Sequence, residues 1–268
     1  MLRPRLIPCL LIYQGGLVKT INFANRKYVG DPINIVRIFN EKEVDELMLL
    51  DIGATTLGGG IDFQLIDDLA NQCQMPICYG GGINTVQQAE KIVGLGVEKV
   101  AISSSAVTDP TLVGQCVQRL GSQSVTVVID VKRVGFFNKE YQIFTHNGSI
   151  RSSHDLHQFV KRLEDLGVGE IVINSIDRDG TMDGYDFNLI DEIWENINVP
   201  LTILGGAGHI DHFEQALGRY GVLGVGAGSL FVFHGKYRAV LVSYPHRDKK
   251  DAVIQKGLKY NQRGKAIV

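Results

Sequence analysis

The chain repeats itself at about half its length. The segment Ile61–Leu69, IDFQLIDDL, reappears 124 residues later as Tyr185–Ile193, YDFNLIDEI, and a glycine cluster follows each copy at Gly80–Gly82 and at Gly205–Gly206. Self-similarity at this period is the signature of two equivalent halves within one architecture. The repeat therefore predicts a fold that divides evenly in two, with the same glycine-rich turn in each half.

The two glycine clusters indicate two anion sites. Glycines directly after apolar strands let backbone N–H groups approach a phosphate closely, and neighbouring hydroxyls can add hydrogen bonds. Alternatively, the glycines only permit tight turns between strands and helices, but their matched register favours phosphate binding. We predict a first phosphate cradle at Gly81, Gly82, Ser103 and Ser104, and a second at Asp179, Gly180, Gly205, Gly206, Gly228 and Ser229. A small molecule bearing a phosphate, or one at each end, would fit.

Short apolar runs alternate with amphipathic stretches along the chain. The predicted strands are Arg5–Ile12, Leu47–Asp51, Pro76–Tyr79, Lys99–Ser103, Ser124–Asp130, Glu170–Ser175, Pro200–Leu204 and Leu223–Ala227, with helical periodicity between them. Continuous apolar strands are typical of parallel sheets covered on both faces. An open doubly wound sheet is the alternative, but eight units with a half-chain repeat favour an α/β fold of the single (β/α)8 TIM-barrel type, built from two half-barrels.

Composition limits the classes of protein to consider. A hydrophobic fraction of 44% suits a globular core, and a net charge of −2 gives no reason to expect nucleic acid. No run reaches the roughly 20 apolar residues of a membrane span, the cysteines lack metal-ligand spacing, and the N-terminus reads as a strand rather than a signal peptide. We therefore expect a cytoplasmic protein, with no metal and no cofactor.

The positive charges are concentrated at the C-terminus. Residues 235–268 hold nine Lys or Arg against two Asp, which leaves the first 234 residues at about −9. We predict a barrel domain over residues 1–245 and a basic tail over 246–268. The tail could be a solvated end or a basic patch for an anionic partner.

Active sites of such barrels lie at the C-terminal ends of the strands. Asp130 ends an apolar strand there, where partial burial would raise its pKa and suit it to acid–base catalysis, although pairing with Lys132 or Arg133 is an alternative. The long segment 13–30 predicts a lid, from which Lys19 could reach the site if it is not simply an exposed loop lysine. A hairpin with an Asn147-Gly148 turn is also predicted within residues 131–152.

The opposite end of the barrel has its own charge pattern. Arg5, Glu46, Lys99 and Glu170 lie at or just before the starts of four strands. The spacing is compatible with four solvated charges or with a salt-bridged plug on the barrel floor.

Several strings of residues 1 to about 240 resemble the cyclase subunit of imidazole glycerol phosphate synthase. The most specific is SIDRDGT at Ser175–Thr181, and others are RLIPCL from Arg5, GGGI from Gly80, DVKRV from Asp130 and GGAG from Gly205. In that family the barrel takes ammonia from a glutaminase subunit docked on its N-terminal face. It then cleaves and cyclises a bis-phosphorylated ribulosyl aminoimidazole carboxamide.

The resemblance implies a role for each group of residues. Asp130 matches the family's catalytic acid/base, and the two glycine clusters match its two phosphate sites. Arg5, Glu46, Lys99 and Glu170 match its ammonia gate.

One departure from the family is Leu11, which stands where a second catalytic aspartate belongs. A leucine cannot move protons, so the pattern is similar to a divergent subgroup associated with lipopolysaccharide and O-antigen synthesis. Such barrels are thought to work with a glutaminase and an ATP-dependent amidotransferase that converts a sugar's acetamido group to an acetamidino group. The leading interpretation is an ammonia-channelling subunit diverted to that pathway. A working histidine-biosynthesis cyclase and a non-catalytic barrel that activates a glutaminase are the alternatives.

Overall fold

A closed ring of parallel strands forms the centre of the computed structural model, which describes residues 3–135 and 140–260. The strands are β1 (Arg5–Tyr13), β2 (Gly16–Ile21), β3 (Ala24–Gly30), β4 (Leu47–Asp51), β5 (Ile77–Gly80), β6 (Lys99–Ile102), β7 (Val125–Val134), β8 (Glu140–Thr145), β9 (Ile150–Arg151), β10 (Glu170–Ser175), β11 (Leu201–Leu204), β12 (Gly224–Ala227), β13 (Phe233–His234) and β14 (Ala239–Val240). The parallel order β1-β4-β5-β6-β7-β10-β11-β12 closes because β12 pairs with β1. This confirms the predicted (β/α)8 barrel.

Helices connect and cover the barrel strands. They are α1 (Pro32–Glu41), α2 (Phe63–Gln72), α3 (Val86–Gly94), α4 (Ser104–Thr108), α5 (Thr111–Leu120), α6 (Leu156–Asp165), α7 (Phe187–Trp194), α8 (Ile210–Tyr220), α9 (Ser229–Val232) and α10 (Arg247–Lys259). The side chain of Asp31 caps α1 and Pro32 occupies its first turn, where the missing N–H of proline costs nothing.

The internal repeat is visible as matched elements. Strands β5 and β11 begin 124 residues apart, and so do the helix pairs α2/α7 and α3/α8. Asp62 and Asp186, which are equivalent in the repeat, both cap their helices by accepting a hydrogen bond from a backbone N–H three residues later. The half-barrel prediction is therefore confirmed at the level of single caps.

Two hairpins extend barrel strands at the C-terminal end. Residues 13–30, predicted as a lid loop, are in fact mostly strand, because β2 pairs antiparallel with β1 and β3 with β2. The second hairpin follows prediction: β8 pairs antiparallel with β7, and the Asn147-Gly148 turn leads to β9. Its residues 136–139 lie outside the described part of the chain.

The interior divides into two apolar regions. A large cluster packs between the strands and the helices. A smaller one fills the lumen of the barrel and consists of Ile7, Cys9, Met48, Cys78, Ala101, Val128, Val172 and Leu204. The side chains of this luminal cluster therefore carry no charge, and they form a packed core inside the barrel.

Part of the predicted basic tail is structured. Residues 247–259 form α10, which packs on α8 and buries Val253 and Ile254. The buried Lys250 pairs with Asp45 at 2.6 Å, so this cation serves the fold rather than a solvated end. Residues 261–268 lie outside the described residues, and the domain boundary at 245 stays a prediction. Among the described helices, none has the length and apolar character to cross a bilayer.

Candidate active site

One cavity opens at the C-terminal end of the barrel, and we call it the mouth cavity. It collects every residue that the sequence predicts for the two cradles, for acid–base chemistry and for the lid: Lys19, Gly81, Gly82, Ser103, Ser104, Asp130, Asp179, Gly180, Gly205, Gly206, Gly228 and Ser229. Residues from the ends of six barrel strands and from one hairpin thus line the same cavity. Their individual roles stay predictions.

The central glycine of each cradle is required by the backbone. Gly81 and Gly205 have φ of +124° and +95°. A Cβ on Gly81 would lie 2.3 Å from the carbonyl oxygen of Asp51, and one on Gly205 would lie 2.6 Å from that of Ser175. Both glycines therefore permit the tight turn, and both leave the backbone without a side chain beside the cavity. The tight-turn explanation and the phosphate-binding explanation are therefore compatible.

Asp179 and Gly180 of the second cradle hold the β2–β3 hairpin. The Asp179 carboxylate accepts a hydrogen bond from the Thr20 hydroxyl at 2.6 Å, and a Cβ on Gly180 would lie 2.0 Å from the Thr20 carbonyl oxygen. Burial raises the pKa of Asp179. A carboxylate offers no donor to a phosphate unless it is protonated, so its visible contribution is to close the hairpin over the cavity.

Lys19 is buried on β2 rather than exposed on a loop. Its ammonium donates to the carbonyl oxygen of Cys9 at 2.6 Å. It also lies beside the second cradle, since a Cβ on Gly228 would be 2.0 Å from the Lys19 nitrogen. Burial lowers the pKa of Lys19. Lys19 therefore lies in the mouth cavity beside the second cradle, and its role there stays a prediction.

Asp130 is held in a desolvated position near the end of the parallel pairing of β7 with β10, where it lies opposite Asn174. Burial raises its pKa from 3.8 to about 7, although a hydrogen bond from the Asn174 amide at 2.8 Å acts in the opposite direction. The alternative pairing does not occur, because Lys132 and Arg133 have exposed side chains and the Arg133 guanidinium lies over the Tyr141 ring. Such a carboxyl can give or take a proton near neutral pH.

Leu11 occupies the position that corresponds to Asp130 in the other half-barrel. In the sheet Asp130 lies opposite Asn174, and Leu11 lies opposite Leu50. Leu50 and Asn174 are 124 residues apart and are therefore equivalent in the repeat. A hydrogen-bonded polar pair in one half is an apolar pair in the other.

Several residues of the mouth cavity were not predicted. Arg26, His146 and Asn147 line it, and all three come from the two hairpins. The Asn-Gly turn signal predicted the second hairpin, but no local pattern shows where a hairpin folds over a barrel. Asp51 also lines the cavity and accepts hydrogen bonds from two backbone amides, those of Gly53 and Ala54.

The four floor charges form a closed ring, which we call the floor ring. Arg5 pairs with Glu46 and, at 2.7 Å, with Glu170, while Lys99 pairs with Glu46 at 3.0 Å and with Glu170 at 2.8 Å. Burial alone would raise the pKa of Glu170, but the two cations outweigh it and hold that pKa below its ordinary value. The alternative of four solvated charges, which the spacing of these residues in the sequence also allowed, is therefore wrong. The two glutamates are equivalent in the repeat, whereas both cations come from the first half.

The chain forms a closed (β/α)8 barrel with a cavity at the C-terminal ends of its strands, where barrel enzymes have their active sites, and with a charge ring on its floor. These features define the class of (β/α)8-barrel enzymes. The chain belongs to the histidine biosynthesis protein family, whose model matches residues 5–238. It is 49% identical over 253 residues to the "Putative imidazole glycerol phosphate synthase subunit HisF" of Leptospira borgpetersenii, a match that covers 94% of this chain and 99% of that protein.

Other relatives agree. The chain is 51% identical over 251 residues to the corresponding hisF2 protein of Pseudomonas aeruginosa, which covers 94% of this chain and 99% of that protein. It is 38% identical over 213 residues to the "Imidazole glycerol phosphate synthase subunit HisF" of Sulfurisphaera tokodaii, at 80% and 84% coverage. The resemblance seen in the sequence is confirmed, and the chain is an enzyme subunit of this cyclase type.

Proposed function

We propose that this barrel is the synthase subunit of a glutamine amidotransferase. It receives ammonia at its floor from a glutaminase subunit and uses that ammonia in the mouth cavity on a bis-phosphorylated substrate. The observation that carries the proposal is the alignment of three features along one axis: the floor ring, the uncharged lumen and the Asp130 cavity.

The lumen is continuous with the mouth cavity. Cys9, Ala101, Val128 and Leu204 belong to the luminal cluster and also line the cavity. Neutral ammonia can cross such a column, whereas ammonium would lose its hydration without gaining a partner.

The floor ring supports a partner at that end. Four ion pairs close the lumen, so the ring must rearrange before ammonia passes. A subunit docked on the N-terminal face could supply alternative partners for these charges, and the relatives named as synthase subunits support a glutaminase in that place. The ring would then act as a gate that opens only in the complex.

The mouth cavity supports cyclase chemistry as the reaction. Both glycine cradles and Asp130 line this one cavity, and the Asp130 pKa of about 7 suits an acid/base that works at neutral pH. The family's bis-phosphorylated ribulosyl aminoimidazole carboxamide fits this arrangement, which supports a place in histidine biosynthesis.

Leu11 favours a second candidate function. With half of the acid/base pair absent, the ammonia conduit can be kept while the cyclisation is lost. The released ammonia would then serve a separate ATP-dependent amidotransferase that amidinates an acetamido sugar for lipopolysaccharide or O-antigen synthesis. This candidate rests on Leu11 alone.

The deciding experiment measures product formation by the wild-type barrel from the bis-phosphorylated substrate, first with ammonium salts and then with glutamine plus the glutaminase subunit. Turnover in both arms supports the histidine-biosynthesis cyclase. No turnover, together with glutaminase stimulation and ammonia release at the mouth, supports the diverted function. Stimulation without any ammonia emerging from the barrel would contradict both and leave a barrel that only activates the glutaminase.

A further inference from the structure

We propose that His146 is the second proton-transfer group of the mouth cavity and carries out the role that Leu11 cannot. This inference rests on the proposed function, because it concerns ammonia addition in the same cavity.

His146 is held at the mouth by the strand that carries Asp130. Strand β8 pairs with β7 so that Phe144 lies opposite Asp130, and His146 follows in the turn two residues later. The His146 backbone N–H donates to the hydroxyl of Ser104 in the first cradle at 3.2 Å. The residue lines both the mouth cavity and an adjacent rim cavity.

One ring nitrogen of His146 is engaged and the other is available. Nδ1 lies 3.1 Å from the hydroxyl oxygen of Thr145. We assign the tautomer in which Nδ1–H donates to that oxygen, which leaves the lone pair on Nε2. Among the described residues Nε2 has no hydrogen-bond partner, so it is free to meet a ligand.

The backbone of this turn is held in an unfavourable conformation. His146 and Asn147 have φ of +51° and +56°, which side chains other than glycine rarely adopt. The Asn147 side-chain amide donates to the carbonyl oxygen of Ile52 at 2.9 Å and anchors the turn across the mouth. Strain of this kind persists where the surroundings enforce it, and it fixes the imidazole at the cavity.

The other ionisable groups of the cavity are already committed. Lys19 is bonded to a backbone carbonyl, and Asp51 accepts from two backbone amides. Asp179 accepts from the β2–β3 hairpin, and Arg26 lies over the Tyr13 ring and does not release its proton. Of the residues that line this cavity, His146 is the histidine. An imidazole is the side chain best suited to proton exchange near neutral pH.

The proposed step is the addition of ammonia to a ketone carbonyl of the substrate. The ammonia lone pair forms the C–N bond while the C=O π electrons move to oxygen, which takes the proton of the Asp130 carboxyl. Nε2 of His146 removes one proton from the new ammonium nitrogen. In the dehydration that follows, imidazolium returns its proton to the departing hydroxyl, and Asp130 takes back a proton from nitrogen, so that an imine, water and both groups in their original states result.

The test compares ammonium-dependent turnover of the bis-phosphorylated substrate by the full-length wild type, His146→Gln, His146→Gly and the control His157→Gln. His157 lies on α6 beside Glu192, away from both cavities. We expect His146→Gln to lower kcat by about 10²- to 10⁴-fold with little change in KM. His146→Gly relieves the backbone strain and should regain activity when imidazole is added.

The pH profile of kcat is the second readout. The charged groups that share the two cavities with His146 are Lys19, Arg26, Asp51, Asp130, Asp179 and, in the rim cavity, Asp109. We expect His146→Gln to change the pH profile of kcat, while His157→Gln keeps the wild-type profile.

Each outcome separates this inference from the proposed function. A higher KM at unchanged kcat in His146→Gln would make His146 a phosphate ligand and overturn the inference alone, as would full activity in that variant. A wild type that binds the substrate in calorimetry but does not turn it over with ammonium would overturn the roles of both His146 and Asp130, and with them the cyclase function.

Discussion

The two half-barrels have the same backbone conformation at their turns and helix caps, but they differ in the side chains at the strand ends that line the mouth cavity. Helices α2 and α7 begin at equivalent positions with equivalent aspartate caps, and Gly81 and Gly205 adopt the same left-handed conformation against equivalent carbonyls. At the strand ends, however, one half has Leu11 opposite Leu50 and the other has Asp130 bonded to Asn174. The turns and caps are needed by any such half-barrel, whereas the inner residues are free to diverge with the chemistry.

At the floor of the barrel, too, the two halves contribute different residues. Glu46 and Glu170 are equivalent in the repeat, yet Arg5 and Lys99 both come from the first half. The first half therefore supplies the cations of the floor ring, and the second half supplies the acid of the mouth. Neither half could carry out both tasks by itself.

The largest expected effect comes from removing the acid of the second half. Asp130→Asn should lower ammonium-dependent turnover by about 10²- to 10⁴-fold, because asparagine cannot deliver a proton to the carbonyl oxygen. Steady-state kinetics with the bis-phosphorylated substrate provide the measurement. Asp68→Asn, an exposed change on α2, is the control and should leave turnover unaltered. Equal activity of wild type and Asp130→Asn would show that the two halves are functionally alike.

The next effect distinguishes the two equivalent glutamates. Glu170→Gln should lower the free energy of unfolding by about 3 kcal/mol, because two half-buried cations then share one carboxylate. Glu46→Gln should cost about 1 kcal/mol less, since only Glu170 also accepts a charge-assisted hydrogen bond from the Thr202 hydroxyl, at 2.5 Å, which a neutral amide oxygen accepts more weakly.

Urea unfolding at neutral pH measures both glutamate variants. Thr202→Val removes the additional hydrogen bond, so in that background the two substitutions should cost the same. A difference that persists there would show that Thr202 is not what separates the two halves of the ring.

A smaller effect is expected when the missing acid is returned to the first half. Leu11→Asp places a carboxyl at the mouth, opposite Leu50, and should raise ammonium-dependent turnover by about 10- to 100-fold. Leu11→Asn, which has nearly the same shape and no ionisable group, is the matched control. If Leu11→Asp and Leu11→Asn change turnover by the same factor, the polarity of the side chain at this position, rather than proton transfer, limits turnover.

The smallest effect concerns stability and pH. The pKa of Asp130 is raised in the folded protein to about 7, so the native state binds one proton more than the unfolded chain between about pH 4 and pH 7. Stability should therefore fall as pH rises through this window, and Asp130→Asn should stabilise the fold at pH 8 relative to pH 5 by about 1–2 kcal/mol.

Thermal unfolding at the two pH values tests this expectation. Asp248→Asn is the control, because that carboxylate is almost fully exposed and should show no such gain. A stabilisation that does not depend on pH would mean that burial of Asp130 carries no ionisation cost.

Much of the architecture could be predicted from local patterns. Continuous apolar runs placed seven of the eight barrel strands within one residue at each end, because strands buried on both faces of a parallel sheet are apolar throughout. Strand β7 runs four residues past its predicted end at Asp130, because it continues into the hairpin with β8. The cradle residues followed from the same alignment, since strand ends meet at one mouth. A last helix is predicted after Phe233, but the stretch that forms α10 was assigned to the basic tail because charged residues are frequent in it, and only its contact with α8 reveals the buried face that Val253 and Ile254 provide.

The sequence by itself determined the repeat, the barrel and the loss of an acid at Leu11, because these depend on periodicity, on glycine conformations and on the identity of single residues. Tertiary structure alone decided which charges meet and which side chains complete the mouth. The floor ring, the position of Lys19 beside Gly228 and the place of His146 at the mouth all arise from contacts between segments far apart in the chain. Such contacts depend on how strands close and hairpins fold over them, and no local pattern records that geometry.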